Sequence, residues 1–470
     1  MTFHLYDSMT HQIHEFHPVV PGEVSIYHCG LTVQAAPHVG HIRKEVVFDV
    51  LRRWLTWSGY RVKIVANVTD IDDKILRKSA ERDVEWYALA YHYELELHKA
   101  YDALGCLPPT YEPRATGHIP EMIELIRTLI DRGHAYVAED GSGDVYFDVR
   151  SWPDYGKLSG QRVEDMAPAE DSDPRGKRDP RDFALWKGRT DHSEPITASW
   201  RTPWGRGRPG WHLECSAMAG KYLGDTFDIH GGGIDLRFPH HENELAQSTA
   251  AGRPFARYWM HNAWVTASGE KMSKSLGNGA LVSEVTRTYP ARAVRLYLLA
   301  PHYRSAIEFS DTSLAEATAS LERIDTFLGR GRDRFGELPP AEVLPDGFVA
   351  AMDDDLGTPA AVAAVYAAVK DGNVALDTGD DAAARAAYAS VRAMLGVFGL
   401  DPADPTWADD HRASDLEPVV DGLVGALLDQ RQAARARKDY GAADAIRDRL
   451  GTLGVRVVDT PDGPKWSVAR

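Results

Sequence analysis

Apolar positions in the first third of the chain change period twice. Residues 24–29 alternate weakly between apolar and polar and run into Gly30, the pattern of a strand entering a turn. After Pro37 and the segment His38-Val39-Gly40-His41, apolar side chains recur with helical spacing at Val46, Val47, Val50, Leu51, Trp54 and Leu55. Gly59 marks the end of that helix. Residues 61–68 are β-branched and mostly apolar, a second strand. Strand, glycine-containing turn, helix and strand make a βαβ unit, the start of a parallel sheet. Ligands of such sheets gather at the carboxyl ends of the strands, where Cys29, the His-Val-Gly-His segment and Thr69-Asp70 fall.

Periodicity is irregular from about 112 to 205, which reads as an insertion. Its stretch 164–182, rich in Pro, Asp, Arg and Gly, reads as a mobile loop. Sheet-like sequence returns at 226–230, ends in Gly231-Gly232-Gly233, and resumes at 257–266. A loop containing Lys271-Met272-Ser273-Lys274-Ser275 follows, between Gly269 and Gly277. The chain is then helical over 283–400. A Pro/Asp/Trp-containing connector occupies 401–415, a helix 416–452, and a short strand 455–458. There is no internal repeat.

The 470 residues exceed one compact core, so two to four domains are expected. The start of the chain has no basic flank leading into an apolar core, so no secretory signal is expected, and no apolar run approaches a membrane span. Three cysteines are too few for a disulfide framework, which fits a reducing cytoplasm. A net charge of −16 excludes a protein that coats nucleic acid nonspecifically, while local basic patches can still grip it at chosen points.

Four scattered residues make a candidate metal centre: Cys29, Cys215, His240 and Glu244. His240 and Glu244 are four apart and project from one face of a helix. Two thiolates, an imidazole and a carboxylate suit tetrahedral zinc. A closed structural site remains the other reading, although the ligands are not paired as in a zinc ribbon. His38 and His41 at a helix start can donate to phosphate, and Gly40 allows close backbone approach. Lys271 and Lys274 can neutralise charge on departing phosphates. Gly231 and Gly232 read as a further close approach to a nucleotide. Metal donors beside two phosphate-handling segments point to ATP-dependent activation of a sulfur-bearing substrate.

Those two segments together resemble the class I aminoacyl-tRNA synthetases, and the residues between them narrow the resemblance to the cysteinyl-tRNA synthetase family. It rests on Tyr27-His28-Cys29-Gly30-Leu31-Thr32, on 67–75 (Asn-Val-Thr-Asp-Ile-Asp-Asp-Lys-Ile), on 210–218 around Trp211 and Cys215, and on 227–233 and 238–244. It continues through His302-Tyr303-Arg304-Ser305, 443–448 and 459–466, so it spans nearly the whole chain. The implied fold is α/β: a Rossmann-like parallel sheet with an inserted connective peptide, followed by α-helical stem-contact and anticodon-binding domains. The implied divisions are 1–111 and 206–282 for the two catalytic halves, 112–205 for the insertion, 283–335 for stem-contact helices, 336–400 for a helical domain and 401–470 for the anticodon module.

The resemblance implies that ATP with Mg²⁺ and L-cysteine form cysteinyl-adenylate, which is transferred to the 3′ end of tRNA(Cys). One zinc per chain, on Cys29, Cys215, His240 and Glu244, would select the substrate thiolate, because sulfur and oxygen differ too little in shape for a pocket to separate them strongly. His38, Gly40, His41, Gly231, Gly232 and Lys274 match ATP-binding positions. Thr32, Thr69, Trp211, His230 and Asp235 match the amino-acid pocket. From the residues alone, Trp211 reads equally as a core aromatic and Asp235 as a turn residue. Cys106 matches no functional position and reads as a buried small hydrophobe. Arg431, Arg435, Arg437, Lys438, Arg447 and Arg449 read either as a solvated helix face or as tRNA contacts. Arg304 is expected on the stem-contact fold. The enzyme is expected to be a cytoplasmic monomer without a membrane partner.

Leu31, Gln34, Ile42 and Lys44 depart from the family pattern around the pocket, which suggests a divergent branch. The nearest alternative is a ligase that joins cysteine to an amino sugar, as in mycothiol biosynthesis; it shares the catalytic core but lacks the C-terminal module, which 401–470 supplies here. A non-catalytic zinc-containing nucleotide-sensing or RNA-binding module would not need both phosphate segments.

Overall fold

The computed structural model describes residues 2–470 apart from 169–175, 190–193, 268, 273–278, 454, 461–462 and 469–470. For 271, 408–419, 421, 456, 458–460, 463–465 and 467–468 it describes the backbone alone. The chain forms two compact units, Met1–Asp401 and Pro402–Arg470.

The first unit is built on a four-stranded parallel sheet. Its order is Phe255–Asn262, Thr226–Gly233, Glu23–His28, Arg61–Ala66. The helix Val39–Trp57 crosses between Glu23–His28 and Arg61–Ala66, and its six expected apolar residues are all buried. From Glu23–His28 the chain turns one way to Arg61–Ala66, while the later strands add on the other side. That central strand is therefore the switch point where open α/β sheets bind ligands, and Cys29 leaves its carboxyl end. Gly30 is required there: a Cβ would lie 1.5 Å from the Asn67 carbonyl oxygen.

The strand Thr226–Gly233 ends in Gly231-Gly232-Gly233 as expected, paired with Met260, His261 and Asn262. Other expectations change. The irregular insertion contains a helix, Ile119–Asp131, and a five-stranded antiparallel sheet whose last strand, Gly205–Pro209, passes the expected boundary at 205. Its strands are short, some of three residues, too brief to show a period. Of the stretch 164–182, residues 169–175 lie outside the described residues. The helical stretch to 400 also holds a two-residue strand, Ile307–Glu308.

Arginines paired with buried carboxylates brace this unit. Arg295 donates to the Phe398 and Leu104 carbonyls at 2.7 and 2.8 Å and pairs with Asp49. Cys106, buried as expected, lies 3.8 Å from the Arg295 guanidinium. Arg304 pairs with Asp355 at 2.7 Å.

In the second unit the single helix expected over 416–452 is two, Ala408–Ala436 and Tyr440–Thr452. They break at Lys438, whose φ is +64°. The strand Val455–Thr460 pairs antiparallel with Gly463–Val468. Arg431 is buried, while Arg435, Arg437, Lys438, Arg447 and Arg449 are exposed. No described helix is long and apolar enough to cross a membrane.

Candidate active site and metal centre

Three elements deliver four donor atoms to one point. Cys29 follows the central strand, Cys215 lies in the helix Trp211–Leu223, and His240 and Glu244 straddle the start of the helix Glu242–Ala250. All four are buried, and their donor atoms lie within 4.8 Å of one another. Cys29 Sγ is 3.6 Å from Cys215 Sγ and 3.4 Å from Glu244 Oε1. His240 Nε2 is 3.6 Å from Cys215 Sγ and 3.0 Å from Glu244 Oε1. A tetrahedral zinc site, with bonds of about 2.3 Å to sulfur and about 2.1 Å to nitrogen, has edges of roughly 3.4–3.8 Å. The observed separations are close to those edges, so the residues fit zinc without moving far.

Further histidines contact these donors. His230 Nε2 contacts Glu244 Oε2 at 2.7 Å and its Nδ1 faces the Tyr27 carbonyl at 3.1 Å. His212 Nδ1 faces His240 Nδ1 at 2.9 Å, and His241 Nε2 is 3.3 Å from Cys29 Sγ. Such partners fix a ligand's orientation and basicity. Cys29, His230, His241 and Glu244 form an alternative donor set at the same point. Sequence reasoning missed His212, His241 and Asn67, whose Oδ1 lies 3.5 Å from Cys215 Sγ; His241 adjoins His240 in the chain and His212 adjoins Trp211.

Burial opposes ionisation throughout, yet the cluster favours charge. The Cys215 thiol comes down to about 6 although burial alone would raise it, because Cys29 and His240 hydrogen-bond its thiolate. Burial likewise works against the His240 imidazolium, but Glu244 and Cys215 raise it to about 10. Burial would raise the Glu244 carboxyl, and His230 and His240 hold it well below the usual range. The Cys29 thiol is pushed up, first by burial and then by Cys215. One thiolate and one carboxylate are thus ready for a cation.

A cavity of about 710 Å³ opens above this point, with Cys29, His38, Gly40, His41 and Met272 in its walls. The His38 and His41 rings stack at 3.5 Å, and the His38 N–H donates to His41 Nδ1 at 3.4 Å. His38 also pairs through its backbone with Leu281, and Val39 N donates to the Ala280 carbonyl at 2.9 Å. The chain leaving the lysine-containing loop is therefore seated against the His-Val-Gly-His segment. Lys274 lies outside the described residues, and Lys271 is described for its backbone only.

Thr32, Trp211 and Asp235 line the cavity. Trp211 stacks on His240 at 4.1 Å, and Trp264 Nε1 donates to Asp235 Oδ1 at 3.3 Å. Thr69 and His230 are not in the lining: Thr69 Oγ1 donates to Glu214 Oε2 at 2.9 Å, and His230 sits beneath the metal donors. Nor are Gly231 and Gly232, whereas Gly233 is. A Cβ on Gly231 would meet the Met260 carbonyl at 2.3 Å, so its smallness serves strand packing.

Residues 15–319 match the family described as the class I (C) tRNA synthetase catalytic domain, 347–401 the DALR domain, and 417–466 the cysteinyl-tRNA ligase anticodon binding domain. The chain is 69% identical to a cysteine–tRNA ligase of Cutibacterium acnes, over all of this chain and 97% of that protein. It is 61% identical to that of a Nocardioides species over the full length of both. Among solved structures, an Agrobacterium radiobacter K84 LeuRS in complex with tRNA and LeuAMS superposes with a TM-score of 0.62 at 13% identity, covering 84% of this chain and 86% of its own. Mycobacterium tuberculosis methionyl-tRNA synthetase with methionyl-adenylate gives 0.57 at 16% identity, covering 81% and 92%. These two share the fold. Matched along its whole length by such relatives, and by catalytic and anticodon-binding families in the expected order, the chain belongs to the cysteine–tRNA ligases, enzymes of the class I aminoacyl-tRNA synthetase family.

Proposed function

We propose that this enzyme uses ATP, carrying Mg²⁺, to convert L-cysteine to cysteinyl-adenylate and then attaches the cysteinyl group to tRNA(Cys). The observation that carries the reading is the convergence of Cys29, Cys215, His240 and Glu244 at the wall of the cavity that His38, Gly40 and His41 also border. Zinc held by those four residues would take the substrate thiolate as a ligand, where a serine hydroxyl offers no comparable donor at neutral pH. His230 orients Glu244, and Trp211, stacked on His240, walls the sulfur end. Asp235, in the cavity wall, takes the substrate ammonium. Thr32 borders the amino acid, while Thr69 is bonded to the buried Glu214 beside Cys215, behind the cavity wall.

The cysteine carboxylate then attacks the α-phosphate and pyrophosphate leaves. That step needs in-line positioning and charge stabilisation rather than a protein nucleophile. His38 and His41 donate to the phosphates, Gly40 admits the nucleotide, and Lys271 and Lys274 neutralise the departing pyrophosphate. The exposed cations Arg435, Arg437, Lys438, Arg447 and Arg449 contact tRNA phosphates. The deciding experiment is cysteine-dependent ATP–pyrophosphate exchange, with serine as control, followed by charging of tRNA(Cys). Exchange without charging, together with ligation of cysteine to an amino sugar, would move the enzyme to the alternative ligase class.

A further inference from the structure

The helix Asp73–Glu81 buries Ile75, Leu76 and Ser79 and turns Lys74, Arg77 and Lys78 into the wall of the catalytic cavity. The spacing i, i+3, i+4 puts these three cations on one face. In a chain of net charge −16 such a cluster stands out, and the neighbouring acids offset it only in part. Asp73 is occupied by Lys187 at 2.7 Å and by Arg208. Asp72 caps the helix through the Lys74 N–H at 2.8 Å. Arg77 reaches only Glu81, at 3.8 Å, and among the described residues no acid pairs with the ammonium of Lys74 or Lys78. Tyr93 and Leu97, from the next helix, line the same cavity, and Arg82 lies over the Tyr93 ring at 5.5 Å.

We propose that Lys74, Arg77 and Lys78 take the backbone phosphates of the tRNA's single-stranded 3′ end as it enters the cavity, with Tyr93 offering a face for a base. This rests on the aminoacylation reading above. Cations beside an aromatic ring are how proteins hold single-stranded nucleic acid. On that same reading the ATP phosphates are already served by His38 and His41 and by Lys271 and Lys274. Lys74 and Arg77 are exposed, so a macromolecular strand arriving from solvent meets them.

The test is the double variant Lys74→Ala/Lys78→Ala in the full chain, with pyrophosphate exchange and tRNA charging measured over a range of salt. The parent's charging of tRNA(Cys) decides the underlying functional reading separately. For the variant, KM for tRNA rises about tenfold, and the slope of log(kcat/KM) against log[salt] becomes shallower by about 1.4, as expected for two lost contacts to a single strand. Cysteine-dependent exchange stays within about twofold, which also reports an intact fold. An unchanged KM and salt slope for tRNA overturns the proposal. A rise in KM for ATP in exchange, with tRNA KM unchanged, also overturns it and assigns the cations to the triphosphate.

Discussion

Lys44 Nζ donates to the Cys29 carbonyl oxygen at 2.9 Å. It also faces His28 Nδ1 at 3.1 Å and Glu45 Oε2 at 3.3 Å, all inside the protein. Lys44 is one of the four departures from the family pattern around the pocket. The structure explains it as one member of a buried pair that also tethers a metal donor's backbone. Lys44→Met leaves Glu45 buried and uncompensated, so denaturant unfolding should show a loss of about 3–5 kcal/mol. Lys44→Met/Glu45→Gln, which removes both charges, should recover most of it. Equal losses in both variants would mean that the pairing is not what matters.

Metal content and activity should fall together in Cys215→Ser and survive in Cys106→Ser. Cys215 is a donor at the convergent site, while Cys106 lies beside Arg295, away from it. Metal analysis before and after a strong chelator, with pyrophosphate exchange on the same samples, is the check. Full cysteine activation by metal-free protein would refute the zinc assignment.

Lys274→Ala should slow adenylate formation by about 10²–10³ with little change in KM for cysteine, because its charge acts on phosphate charge that grows in the transition state. His41→Ala should behave alike, since His41 borders the cavity beside His38. Single-turnover kinetics separate the two parameters. An effect confined to KM for cysteine contradicts the role.

Asp49 should contribute to stability in a pH-dependent way. Burial alone would raise its carboxyl, but Arg295 and Arg53 hold it below its usual range. A depressed carboxyl contributes stability that is present above its unfolded value of about 3.9 and is lost as pH falls through the lower folded value. Asp49→Asn should therefore cost about 3–5 kcal/mol at pH 7 by leaving Arg295 buried without its partner. Unfolding curves of parent and variant should draw together only below about pH 4. A gap that stays constant down to that pH would show that Asp49 contributes through shape rather than charge.

Local pattern and residue chemistry determined much of this protein. The helix Val39–Trp57 and its buried stripe follow from the 3.6-residue period, and the parallel βαβ unit follows from the strands on either side. Cys29, Cys215, His240 and Glu244 could be named because the chain has only three cysteines, His240 and Glu244 are four apart, and the family resemblance matches all four positions. Tertiary structure alone decided what depends on distance across the chain. Strands of three residues in the insertion carry no period, so only their pairing reveals the sheet. The glycines at 231 and 232 read as close approach to a nucleotide, and only the fold shows Gly231 pressed against Met260 and Phe48 within the sheet. Arg431 looked like one more solvated cation, yet it is buried. Lys44 looked like a substitution at a pocket's edge, and only the fold sets its ammonium against the Cys29 carbonyl, because burial makes a charge choose a partner and sequence does not say which partner is near.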